Sequence, residues 1–141
     1  MRVAPVKVVP RIAALESGGM VAELRADRPR RACVLHFTVG PDGRRTLLGG
    51  PRLAEGMRSG VVSLEPGHAV GRHSTRAREE LIVVLEGSGE LLVDGGDGVP
   101  LEAGAGAYVP PEQEHDVVNT GTGPLCYVYV VAPAAGGERP R

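Results

Sequence analysis

Three side chains in this sequence, His73, Glu80 and His115, have types and surroundings suited to sharing a divalent cation. Glu80 opens the apolar run Leu81-Ile82-Val83-Val84-Leu85, and strand alternation puts it on one face with Ile82 and Val84. A carboxylate turned into an apolar interior is costly unless its charge is compensated. His115 starts a second short run and shares its face with Val117 and Asn119. A cation held by Glu80, His73 and His115 would supply the compensation. Two imidazoles and one carboxylate suit Fe2+, Zn2+, Ni2+ or Mn2+, with positions left open for water or substrate.

Other candidates read more plainly. Thr75, two residues after His73, should project toward the same interior, where its hydroxyl is a poor metal ligand and serves a hydrogen bond or filling. His68 sits beside Gly67 in a turn and reads as an exposed loop residue, with reach to the barrel mouth as the alternative. His36, in Cys33-Val34-Leu35-His36-Phe37, shares a face with Val34 and Thr38 and reads as a satisfied core or edge histidine, with a place in the pocket wall as the alternative. Tyr127 and Tyr129 alternate along the last apolar run and are expected to serve packing or a dimer surface. The glycine-rich turn at 102–106 lacks the strand-to-helix setting of a phosphate loop, so nucleotide binding is not expected.

The elements that must position these residues follow a period of two. Apolar or β-branched runs occur at Ala32–Val39, Gly60–Glu65, Leu81–Glu86, Glu90–Val93, Ala107–Val109, Asp116–Thr120 and Leu125–Val131. Glycine- and proline-bearing turns separate them at 40–43, 49–51, 65–67, 94–98, 102–106 and 119–124. Many short strands with such turns predict an all-β sandwich or barrel. Residues 1–31 are expected to be an N-terminal arm with a basic cluster (Arg25, Arg28, Arg30, Arg31), residues 32–132 one barrel domain, and residues 133–141 a flexible tail.

The two segments that hold His73, Glu80 and His115 resemble the two motifs of the cupin superfamily. The first motif reads G-x5-H-x-H-x3or4-E-x6-G, and Gly67, His73, Glu80 and Gly87 fall at its spacings. The second reads G-x5-P-x-G-x2-H-x3-N, matched by Gly104, Pro110, His115 and Asn119. The resemblance covers about residues 57 to 132. Two positions depart from it: Thr75 stands where the family has its second motif-one histidine, and Glu112 replaces the motif-two glycine. Singly, Glu80 reads as a solvated strand-end carboxylate and His73 as a loop histidine. Their joint spacing with His115 makes a site. The resemblance implies a jelly-roll barrel (a double-stranded β-helix) that holds one metal ion, usually in a homodimer, with one ligand lost at Thr75.

Composition bounds the rest. The 141 residues suffice for one domain with a core. Sixteen Lys and Arg against 17 Asp and Glu leave a net charge of −1, which excludes the strongly basic footprint of nucleic-acid binding. No apolar stretch is long enough to span a membrane. Cys33 and Cys126 each lie in an apolar run and read as reduced core thiols, which with no secretory-type N-terminus predicts a cytoplasmic protein. The expected function is metal-dependent chemistry on a small molecule, with a dioxygenase-like oxidoreductase favoured. The alternatives are a metal-dependent isomerase, cyclase or lyase, and a non-catalytic module that binds metal or a small ligand.

Overall fold

The computed structural model describes residues 34–49, 54 and 56–135. The expected arm (1–31), Cys33 and most of the expected tail lie outside them. Eight strands follow one another: β1 (Arg44–Leu48), β2 (Arg58–Leu64), β3 (Arg78–Glu86), β4 (Ser88–Val93), β5 (Val99–Glu102), β6 (Gly106–Val109), β7 (His115–Val118) and β8 (Leu125–Pro133). Among the described residues there is no helix, and so none that could cross a membrane. The strands form a five-stranded sheet in the order β1-β2-β8-β3-β6 and a three-stranded sheet in the order β5-β4-β7. This is the expected all-β double-stranded β-helix.

The core lies between the sheets. Val62, Ile82, Val84, Leu91, Leu101, Val109, Val117, Leu125 and Tyr127 pack together there. Ile82 is fully buried, and its truncation to alanine would cost about 2–5 kcal/mol by the usual cavity penalty. Directly opposed residues of an antiparallel ladder share a face. Three cross-strand rows therefore line the inside of the large sheet: Arg58–Val131–Glu80–Val109, Gly60–Tyr129–Ile82–Ala107 and Val62–Tyr127–Val84. On β1, Arg44 extends the third row and Thr46 the second. Gly60 is a close-approach position. A Cβ there would lie 2.6 Å from the Tyr129 hydroxyl and 2.7 Å from its ring carbons, so glycine lets that ring lie across β2.

The expected strand at 32–39 is not formed over its described part. Residues 34–39 carry no strand, and Val34, Leu35, Phe37 and Val39 are exposed. His36 is accordingly exposed and is not a core or edge-strand histidine. The apolar alternation is real, but no ladder partner receives it among the described residues. Two strands escape the sequence reading for opposite reasons. On β1 the inward residues are Arg44 and Thr46, polar because they face a cavity, so the apolar period is absent. On β5, Pro100 argues against a strand, yet β5 is an edge, where a missing N–H costs no ladder bond.

Candidate metal centre

His73 and His115 come from distant parts of the chain and are joined through their backbones. His73 N–H donates to the His115 carbonyl at 3.0 Å, and His115 N–H donates to the His73 carbonyl at 2.8 Å. The imidazole centroids lie 4.4 Å apart. Glu80, two residues into β3, enters from the large sheet, and its Oε2 lies 3.1 Å from His115 Nε2. One ligand atom from each of His73, Glu80 and His115 lies within 4.8 Å of the others, so this group could hold a metal ion. Glu80 and His115 are buried, whereas His73 is exposed at the mouth.

Neighbouring carbonyls set the two rings. His73 Nδ1–H donates to the Gly71 carbonyl at 2.8 Å, and His115 Nδ1–H donates to the Gln113 carbonyl at 3.2 Å. Both Nε2 atoms are then left with a lone pair, the tautomer a metal ligand needs. For a neutral His115 this sets a lone pair against the Glu80 carboxylate, two acceptors face to face. A proton between them resolves the conflict. The hydrogen bond to Glu80 accordingly raises the His115 pKa above its ordinary 6.5, against the opposing effect of burial. A cation in the proton's place resolves it equally well, so the donor set fits a divalent metal.

The surrounding loops are tied to one another. Gly71 N–H donates to Asp116 at 2.9 Å, and Arg72 pairs with Glu114 at 2.6 Å. Glu112, the residue in place of the motif glycine, holds the left-handed backbone that glycine favours, at φ 63°, and its N–H donates to the Arg76 carbonyl at 2.7 Å. Asn119 is buried and donates to the carbonyls of Leu64 and Gly123. It fastens the turn after β7 and has no part in the ligand group. Thr75 lines the cavity as expected, and its hydroxyl donates to the Arg78 carbonyl at 2.7 Å. His68 is exposed, also as expected.

A cavity of about 800 Å³ opens over the three residues. Tyr127 packs in the core and Tyr129 against it, as the packing expectation has it, and because the odd-numbered residues of β8 face inward both also line this cavity. Burial, with Glu80 nearby, pushes the Tyr127 phenol far up, so it stays a neutral O–H donor. Five arginines also line the wall: Arg44, Arg45, Arg58, Arg72 and Arg76. Sequence reasoning missed them. Recognising β1, and extending the alternation of β2 back to Arg58, would have found two.

A cupin-domain family model matches residues 60–131, half of the chain. The chain belongs to the cupin family. Among curated proteins, this cupin is 37% identical over 70 residues to the glucose-6-phosphate isomerase of Pyrococcus abyssi, covering 47% of this chain and 37% of that one. The corresponding isomerase of Pyrococcus horikoshii is 35% identical over the same length. The cupin thus spans well under half the length of these relatives. Among solved structures, a predicted oxalate decarboxylase from Thermotoga maritima is 26% identical, with a TM-score of 0.60, over 64% of this chain and 79% of that one. A conserved Klebsiella pneumoniae protein with a double-stranded β-helix domain is also 26% identical, with a TM-score of 0.59, over 73% and 86% of the two chains.

Proposed function

We propose that this cupin holds one divalent metal ion on His73, Glu80 and His115 and acts as an isomerase- or lyase-type enzyme on a small molecule bound in the cavity. The observation that carries the reading is the convergence of three fitting donors, two buried and one exposed, on a cavity large enough for a metabolite. A metal bound there supplies Lewis-acid polarisation of a substrate oxygen. The chain's own residues do the rest. The carbonyls of Gly71 and Gln113 fix the imidazoles, Glu80 brings the negative charge, and Tyr127 offers a neutral hydrogen-bond donor to the substrate.

The dioxygenase reading rests on the same ligand set, two imidazoles and a carboxylate with open positions. It ranks second because the relatives whose chemistry is named are isomerases and a predicted decarboxylase. Homodimer formation belongs to the same proposal. Leu81, Leu85 and Tyr108 stand exposed on the outside of β3 and β6, an apolar face suited to a second copy.

Elemental analysis of protein purified without a histidine tag tests the reading. The expected result is close to one divalent ion per chain, lost in His115→Ala while the circular dichroism stays that of a β protein. A folded protein that takes up no metal, or holds as much metal in His115→Ala, would overturn it.

A further inference from the structure

The cavity wall is electrically unlike the rest of the chain. The whole sequence carries a net charge of −1, yet five arginines and a single carboxylate, that of Glu80, line this one cavity. Among the described residues only Arg72 is neutralised, by Glu114. Arg44 and Arg45 donate to backbone carbonyls, those of Val70 at 3.4 Å and Thr38 at 3.1 Å, and have no carboxylate partner among the described residues. The guanidiniums of Arg58 and Arg76 have neither hydrogen bond nor ion pair among the described residues. Like charges gathered on one wall repel each other, and nothing in the packing needs them, because all four of these side chains are exposed.

Strand register gives Arg58 a defined place. It opposes Val131 on β8, which opposes Glu80 on β3, so Arg58 and Glu80 share one inward row. Two strand spacings separate their backbones, roughly 9.5 Å. A small molecule touching the His73–Glu80–His115 group at one end therefore has a guanidinium within reach of the other. Guanidinium is the side chain best matched to phosphate and carboxylate, which it grips through paired N–H donors.

We propose that the cavity selects small organic anions: a phosphate or carboxylate group is held by the arginine wall, with Arg58 as its central member, while the rest of the molecule reaches His73, Glu80 and His115. This rests on the reading of the cavity as a substrate site, but the anchor belongs to the protein and is present without metal. It gives the enzyme a two-ended site in which the arginines orient the substrate and the donor group meets its reactive end. Arg58 is thus a binding residue that sets specificity.

Calorimetric titration of inorganic phosphate and of succinate into resin-stripped, metal-free protein, at ionic strength held constant with chloride, tests this. The expected result is saturable binding of at least one of them. Arg58→Gln should weaken it about tenfold or more, the loss expected for one charge-assisted contact. Arg58→Lys should recover part of the loss. Arg72→Gln, whose charge Glu114 already cancels, should change it by less than about twofold. The phosphate and succinate arms separate a phosphorylated from a carboxylated substrate. Binding of neither anion, binding unchanged in Arg58→Gln, or an equal loss in Arg72→Gln would overturn the proposal. Arg58→Gln should keep its full metal content, so failure of the metal reading and failure of the anion anchor give different patterns.

Discussion

His73 and His115, 42 positions apart in sequence, exchange both backbone hydrogen bonds, and this pairing sets their imidazoles side by side. Closely spaced pairs of this kind hold opposed residues about 5.5 Å apart at Cα, close enough for two side chains to share one small ion. Glu80 completes the group from the facing sheet. Each of the three is fixed by a different ladder or carbonyl, so the arrangement is built before any ligand arrives.

Replacing Glu80 with Gln should separate charge from shape. Glutamine fills the same space and can still donate to His115 Nε2, so thermal stability should stay within about 1 kcal/mol of the parent. Metal affinity should fall at least about a hundredfold, since even the outer partners of metal ligands are worth 10–100-fold. Metal titration beside a denaturation curve checks both.

Thr75→His should raise metal affinity. Thr75 lines the cavity two residues beyond His73, and an imidazole there adds a nitrogen donor. The loss of the hydroxyl bond to Arg78 should cost about 1 kcal/mol of stability. Competition with a chromogenic chelator reads the affinity. An unchanged value would mean that residue 75 does not face the ion.

Glu112→Gly should stabilise the fold by about 1 kcal/mol, because a left-handed backbone at φ 63° is strained for glutamate and free for glycine. Urea denaturation measures the difference. An equal loss of stability instead would show that the Glu112 side chain contributes more than its backbone costs.

Protonation of His115 should stabilise the metal-free protein. The folded pKa is raised above the unfolded value of 6.5 by Glu80, so the contribution is complete below about pH 6.5 and disappears as pH rises through the folded value. Unfolding free energy of the metal-free protein should therefore decline as pH rises above about 6.5, and His115→Gln should remove that decline. Saturating metal should remove it as well, since the ion replaces the proton.

Gly60→Ala should push the Tyr129 ring into the cavity, because the new methyl lies 2.6 to 2.7 Å from three of its atoms. A loss of about 1–3 kcal/mol is the usual cost of such overpacking. Thermal unfolding, with quenching of tyrosine fluorescence as a second readout, follows the effect.

The metal-centre candidates were legible in the sequence because they break a pattern: Glu80 is a charge at the head of an apolar strand, and His115 heads another. The strands β2, β3 and β8 were legible because their inner rows are apolar. What the alternation could not reveal was the wall of the cavity. Arg44, Thr46 and Arg58 face inward beside Tyr127 and Tyr129, but inward here means toward a solvent-filled space, so polarity no longer reports burial. The apolar segment 34–39 shows the reverse: an alternating sequence that stays exposed where no strand takes it up.

The most direct measurement is anomalous diffraction at the absorption edge of the ion found by elemental analysis. A single peak is expected between His73, Glu80 and His115, at bonds of about 2.0–2.2 Å to two imidazole nitrogens and one carboxylate oxygen. A metal-loaded crystal with its peak elsewhere, or with the His115–Glu80 hydrogen bond intact and no peak between the three residues, would contradict it.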